Sequence, residues 1–333
     1  MRTMLRFRHP THHSSAMHHF LDRSTIVNRW DNTTPNRIQI ESGDSLQIEM
    51  RDSSDAQVHP GMDSAAFSKI DTLRIHAMTG PIGVAGAEPG DVLAIDIHEY
   101  QLEGWAWTSI IPGLGLLDKD FETHFLHIWE LEEDRTRSMP GLTIPLAPFC
   151  GIIGVQPATP GTFRTRPPGN HGGNMDVRHL TAGSTLYLPV QVPEAGLCVG
   201  DAHAAQGDGE VSINGMEAPM QVKLRVKLLK NTPLPGPTVF CPTPLEPDSF
   251  ITKPHHIWIE SDEDIRIAAQ RVVRRAIAYL VERLGISAEQ AYVTCSVLLR
   301  LKLSQMVNVP ITTVSGYLPE AVFDEPCNKL ILT

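Results

Sequence analysis

The chain has 333 residues, with 28 Lys and Arg against 38 Asp and Glu, a formal net charge of −10 and 41% hydrophobic residues. That length exceeds one ordinary domain of about 100–200 residues, and the apolar share suffices for a sizeable core, which excludes disorder of the whole chain. The acidic balance excludes nucleic acid as a partner, since phosphate binding needs clustered Lys and Arg, and no run of about 20 apolar residues exists to cross a membrane.

Residues 1–24 carry Arg2, Arg6 and Arg8 followed by His9, Pro10, His12, His13, His18 and His19. They lack the apolar core of a secretory signal, and this polar, aperiodic stretch reads as a mobile arm whose histidines bind metal only adventitiously. From 25 to 240 the pattern is of short strands cut by turns. Residues 37–40, the turn Ser42-Gly43-Asp44 and the alternating residues 46–50 predict a hairpin with one wet face. Residues 92–97 follow the turn Glu88-Pro89-Gly90-Asp91, and 184–192 form another β-rich run. The expected fold is mainly β, sandwich- or barrel-like, with a C-terminal α+β portion.

Six prolines between residues 231 and 247 mark a linker, after which 248–333 form the α+β lobe. Ser261, followed by Asp262, Glu263 and Asp264, predicts the cap of a helix with Ile265, Ala269, Val272, Ala276 and Leu280 on one face and Gly285 at its end. Ser287 and Gln290 are spaced as the capping box of a second helix. Residues 301–314 and 329–332 read as extended. Both helices need to bury their apolar faces, against the β portion or a neighbouring subunit.

Five cysteines (Cys150, Cys198, Cys241, Cys295, Cys327) stand far apart, a spacing that fits reduced thiols and a cytoplasmic location. Cys150 has apolar neighbours and reads as a packed thiol with a raised pKa. The serine elbow, phosphate loop and His-Glu-x-x-His helix are all missing. The densest polar constellation is Asp201-Ala202-His203 followed by Gln206-Gly207-Asp208-Gly209-Glu210. In extended chain Asp201 and His203 share a face and can converge on one divalent cation, and the glycines allow a reversal that returns Asp208 or Glu210 as third ligand or base. A Gly-rich hairpin with solvated acids is the plainer reading. A second constellation joins Asn174 and Asp176 to Gly172 and Gly173, and a third places His76 ahead of Glu88. Each is also ordinary turn chemistry. His255 and His256 point oppositely in extended chain, which argues against joint ligation.

Taken together, these stretches resemble the acetamidase/formamidase family. The resemblance runs in order through Ile40-Glu41-Ser42-Gly43-Asp44, His76-Ala77-Met78-Thr79-Gly80-Pro81, Gly86-Ala87-Glu88-Pro89-Gly90-Asp91, Gly172-Gly173-Asn174-Met175-Asp176 and Gly183-Ser184-Thr185-Leu186-Tyr187-Leu188-Pro189. It is most specific at Gly200-Asp201-Ala202-His203-Ala204-Ala205-Gln206-Gly207-Asp208-Gly209-Glu210. It implies a homo-oligomer that hydrolyses a short aliphatic amide to a carboxylate and ammonia. On that reading Asp176, Asp201 and His203, with His76 as a fourth, hold a divalent metal: zinc first, calcium or another divalent ion otherwise. Glu210 first and Glu88 second are the candidate bases, and Asn174 holds the amide. Because the C-terminal motifs are altered, hydrolysis of another C–N bond is the alternative, with a non-catalytic amide-binding protein the remaining one.

Overall fold

The computed structural model describes residues 16–242, 254–307 and 310–325. Two six-stranded sheets form the body. The first runs in the order β1 (His18–Leu21), β5 (Ser45–Met50), β17 (Met220–Leu229), β7 (Val92–Leu102), β15 (Thr185–Pro189) and β18 (Thr238–Phe240). The second runs β14 (Gly172–Asn174), β12 (Phe149–Gly154), β16 (Leu197–His203), β6 (Met78–Val84) and β2 (Ile26–Val27), with β4 (Ile38–Ile40) also paired to β6. Short ribbons join β3 (Arg29–Asp31) to β13 (Thr162–Arg164), β8 (Trp105–Ile110) to β9 (Phe125–Glu130), and β10 (Arg135–Thr136) to β11 (Ile144–Pro145). Leu46, Ile48, Leu93, Ile95, Val222 and Leu224 of the first sheet meet Ile82, Val84, Ile153, Leu197 and Val199 of the second in one core, so the architecture is a mainly β sandwich.

The expected hairpin at 37–50 is not one. Its second strand does alternate, but β4 pairs with β6 in one sheet, while β5 pairs with β1 and β17 in the other. The turn at Gly43 therefore crosses between sheets: it is held by the Asp44 carboxylate, which accepts from Met17 N at 2.8 Å and Glu41 N at 3.0 Å, and not by ladder bonds between its flanks. Within the expected arm, residues 18–21 form β1; residues 1–15 lie outside the described residues. Residues 238–240 of the expected linker are β18, paired with β15. Residues 329–332 also lie outside the described residues.

The C-terminal part packs α1's longer counterparts against a three-stranded sheet; α1 itself is the single turn Ser64–Phe67. The sheet is β19 (His255–Asp262), β21 (Thr312–Pro319) and β20 (Arg300–Gln305), and the helices are α2 (Ile265–Leu284) and α3 (Ala288–Leu298). The capping box at Ser287 and Gln290 and the left-handed Gly285 end-cap are present as expected. The cap of α2 is Asp264, not Ser261: Asp264 accepts from Arg266 N at 2.8 Å, whereas the Ser261 hydroxyl is engaged across the sheet with Thr313 at 2.9 Å. Val272, Ala276, Tyr292 and Cys295 share one core with Ala106, Trp129 and Met216, so both helices bury their apolar faces within the chain. No helix among the described residues is long and apolar enough to cross a membrane.

Candidate active site

Strand β12 lies between β14 and β16, and at its centre stands Gly151. A Cβ there would lie 2.5 Å from Asp176 Oδ1, 2.9 Å from Asp201 O and 3.0 Å from Asp201 Oδ2. Carboxylates carried by the chain on both sides thus converge over the one residue with no side chain. The Gly151 carbonyl accepts from Met175 N at 3.1 Å and Asp176 N at 3.3 Å, which fixes the approach from the β14 side. Asp201 has the same strand parity as Leu197 and Val199, which enter the core. Its φ of 52° breaks the alternation and leaves its carboxylate beside His203. Aspartate is among the few residues that adopt this left-handed conformation at small cost.

His203 is the hub. Its Nε2 lies 2.9 Å from Glu217 Oε1, 3.6 Å from Asp201 Oδ1 and 3.9 Å from Glu210 Oε1, while His76 Nε2 is 3.9 Å from Asp201 Oδ2. His203 is 0% exposed, Glu217 1% and Asp201 3%, so these charges have left water and require partners. Gln206 supplies one. Its Nε2 donates to Asp176 O at 3.0 Å, which orients the amide so that Oε1 faces His203 Nδ1 at 2.8 Å. Nδ1 therefore carries the hydrogen and donates to Gln206, and Nε2 is the nitrogen turned to the acids. His76 is held similarly, with Thr165 Oγ1 2.9 Å from its amide and 3.0 Å from Nδ1.

The electrostatics describe a site of surplus negative charge. Burial, reinforced by the Asp201 charge, pushes the Asp176 carboxyl up to about 7, and burial carries Glu217 up to about 7 as well. Glu210 is raised well above its ordinary value by burial and by the Asp176 charge. Burial opposes an ionised Asp201, but the His76 and His203 imidazoles outweigh it and hold that carboxyl below the usual range. Burial likewise opposes a charged His203, which Glu217 and Asp201 nevertheless lift well above the usual imidazole value. Asp176 Oδ1, Asp201 Oδ1 and Glu217 Oε2 are buried without hydrogen-bond partners. Two overlapping triads, Asp176/His203/Glu210 and Asp201/His203/Glu217, each bring their ligand atoms within 4.8 Å of one another. Carboxylate oxygens around one imidazole nitrogen are donors that could hold a divalent cation.

These groups open onto a cavity of about 180 Å³. His76, Asn174, Asp201, Glu210 and Glu217 line its polar side, and Phe67, Ile75, Trp107, Ile111 and Ile213 its apolar wall. Asn174 gives Nδ2 to Arg166 O at 3.2 Å and keeps a buried Oδ1 without a partner. Glu88 is not brought here: it is exposed in the turn entering β7, where its amide donates to Asp91 Oδ2. Asp208 turns away, 3.8 Å from Arg178. Glu217, Gln206 and Thr165 escape the sequence reading. The available signal for Glu217 was a lone acid inside the apolar run 216–220. Cys150 is buried, with its thiol pushed up to about 12 by burial. The flank of Glu210 is tied to α3: Ser296 Oγ accepts from Ser212 N at 3.0 Å and donates to Asn214 O at 2.9 Å, and the Tyr292 hydroxyl donates to Val211 O.

The pattern that defines the Acetamidase/Formamidase family matches residues 14–161 and 158–325. The chain belongs to the acetamidase/formamidase family. Among amidases of this family, the formamidase of Methylophilus methylotrophus is 27% identical, with 90% of this chain and 89% of that protein covered. The acetamidase of Mycolicibacterium smegmatis is 26% identical over 80% of this chain and 83% of its own length. Two solved structures are also similar. A gamma lactamase from Delftia acidovorans superposes with a TM-score of 0.83 at 26% identity, covering 92% of this chain and 91% of that one. An acetamidase from Bacillus halodurans gives 0.65 at 31% identity, covering 91% and 97%. Family membership makes this chain an amide hydrolase, with the acids and histidines of the converging strands as its candidate machinery.

Proposed function

We propose that the chain hydrolyses a small amide with water activated at a divalent cation held by His203 Nε2, Asp201 and Asp176, with His76 beside them. The observation that carries this is the convergence of carboxylate oxygens of Asp176, Asp201, Glu210 and Glu217 on one imidazole, His203, with ligand atoms of each triad within 4.8 Å of one another. One nitrogen among carboxylate oxygens suits zinc, with calcium or another hard divalent ion the alternative. Such a cation, when bound, polarises the carbonyl and acidifies water toward a pKa of about 7. Glu210, at the cavity wall, takes the proton of the attacking water and returns it to the leaving nitrogen. Asn174 Oδ1 accepts the amide N–H and orients it.

The size and lining of the cavity support a substrate larger than formamide. A cavity of about 180 Å³ has room for several groups of water size, each needing about 10–15 Å³, where formamide has only a few non-hydrogen atoms. A second reading, hydrolysis of a cyclic amide, is favoured by the apolar wall of Phe67, Trp107 and Ile111 and by the likeness to the gamma lactamase. Product formation from formamide, acetamide, butyramide, 2-pyrrolidinone and urea, before and after chelation and metal return, tests both. Full activity after complete metal removal overturns the cation's role, and inactivity on every amide overturns the reading as a whole.

A further inference from the structure

Asn214 sits in the wall of the same cavity, on the segment between Glu210 and Glu217. Its Oδ1 accepts from both Ser109 N and Ser109 Oγ at 3.0 Å. A backbone N–H only donates, so the orientation of the side-chain amide is fixed, and Nδ2 is left as a buried donor without a partner. An unsatisfied buried N–H is costly and needs a reason. In the wall of the same cavity Asn174 shows the opposite arrangement: its Nδ2 is engaged and its Oδ1 is the buried atom without a partner. One free donor and one free acceptor, each locked by backbone, are the complement of a carboxamide, which offers a carbonyl oxygen and an N–H.

Resting on the amide-hydrolase reading, the structure assigns Asn214 as a catalytic residue: its Nδ2 donates to the substrate's carbonyl oxygen and holds the negative charge that grows there as water adds to the carbonyl carbon. The C=O π pair moves onto that oxygen in this step. When the tetrahedral carbon collapses, the pair returns, the C–N bond breaks and the nitrogen leaves with the proton delivered by Glu210. A pre-oriented donor of this kind strengthens its bond most in the transition state, so its loss falls on kcat more than on KM. Ser109 is the positioning residue, because its two hydrogen bonds to Oδ1 decide which amide atom is Nδ2 and leave that donor unengaged.

The test uses the metal-loaded full chain. Asn214→Asp keeps the shape and the bonds from Ser109 but replaces the donor by an acceptor, and Asn214→Ala removes both. Each is expected to lower kcat on butyramide by about 10²–10³ with KM changed far less and with metal content retained. Ser109→Ala keeps the backbone bond to Oδ1 and is expected to lose less than either. Wild-type kcat in Asn214→Asp or Asn214→Ala overturns the assignment, as does a loss that merely tracks lost metal or lost folded protein. If the wild type turns over no amide, the amide-hydrolase reading fails first, and the assignment falls with it.

Discussion

In the first sheet, β5 and β17 alternate: Leu46, Ile48, Met220, Val222 and Leu224 point into the core, while Gln47, Glu49, Lys223 and Arg225 line the other face. In the second sheet, β6, β12 and β16 are buried at every position. The first is an ordinary one-sided sheet, and its outward residues pair as Lys223 with Glu99 and Lys227 with Asp96. The second is covered twice, by the core on one side and on the other by Trp30, which packs with Met78, Ile152 and Cys198. A face excluded from water in this way makes charge expensive and ligation strong, which is why the chemistry collects there.

The sharpest way to break this contrast is His203→Ala. If the second sheet is built around that imidazole, the variant is expected to lose its metal by elemental analysis and its turnover entirely. Normal metal with a normal rate would remove the contrast. Glu210→Gln should keep the metal and drop the single-turnover rate by roughly 10²–10⁴, as expected when only a proton carrier is lost. Loss of metal in that variant would make Glu210 a ligand.

Gly151→Ala compared with Leu224→Ala sharpens the division of labour. The added methyl at 151 meets Asp176 Oδ1 and Asp201, so the rate is expected to fall by about 10²-fold through displaced carboxylates. Leu224→Ala should instead cost about 2–5 kcal/mol of stability in denaturant unfolding, leaving the rate of the folded fraction near wild type. The last expected effect concerns pH. The folded chain holds Asp176 and Glu217 protons up to about pH 7 that the unfolded chain, with ordinary values of 3.8 and 4.5, releases near pH 4. Between those values the folded state binds more protons, so the stability of the chelated protein should fall as pH rises from about 4 to about 7, and the raised Glu210 and His203 carry the fall further. Zinc, taking the place of those protons, should flatten the fall in a series of melting curves.

The same contrast explains what could be read from sequence. Alternation along β5, the cap at Ser287 and the stop at Gly285 are local rules, visible at their own positions. Asp201 and His203 were legible as a pair, but regular alternation would send both into the core with Leu197 and Val199, and the left-handed backbone at Asp201, which the sequence does not announce, brings them to the site; the glycines before Glu210 announced its return. Glu217 and Asn214 carry no such mark. They reach the site because the chain after Glu210 folds back along β16 and β8, with Glu217 N donating to Trp107 O at 2.8 Å and Trp107 N to Glu217 O at 2.9 Å. Glu88 failed in the converse way: its neighbours fit a motif, yet the turn serves to start β7. The pairing partners of β4 and β5 lie too far along the chain for a turn between them to predict.

The hydrogen bonds from α3 to the segment behind Glu210 and Asn214 also bear on how the protein is made. Every candidate ligand and base lies between residues 76 and 217, but Tyr292 and Ser296, which clamp the backbone at Val211, Ser212 and Asn214, are synthesised about 80 residues later. A nascent chain that has released the whole sandwich from the ribosome therefore still lacks the hydrogen bonds that brace residues 211–214.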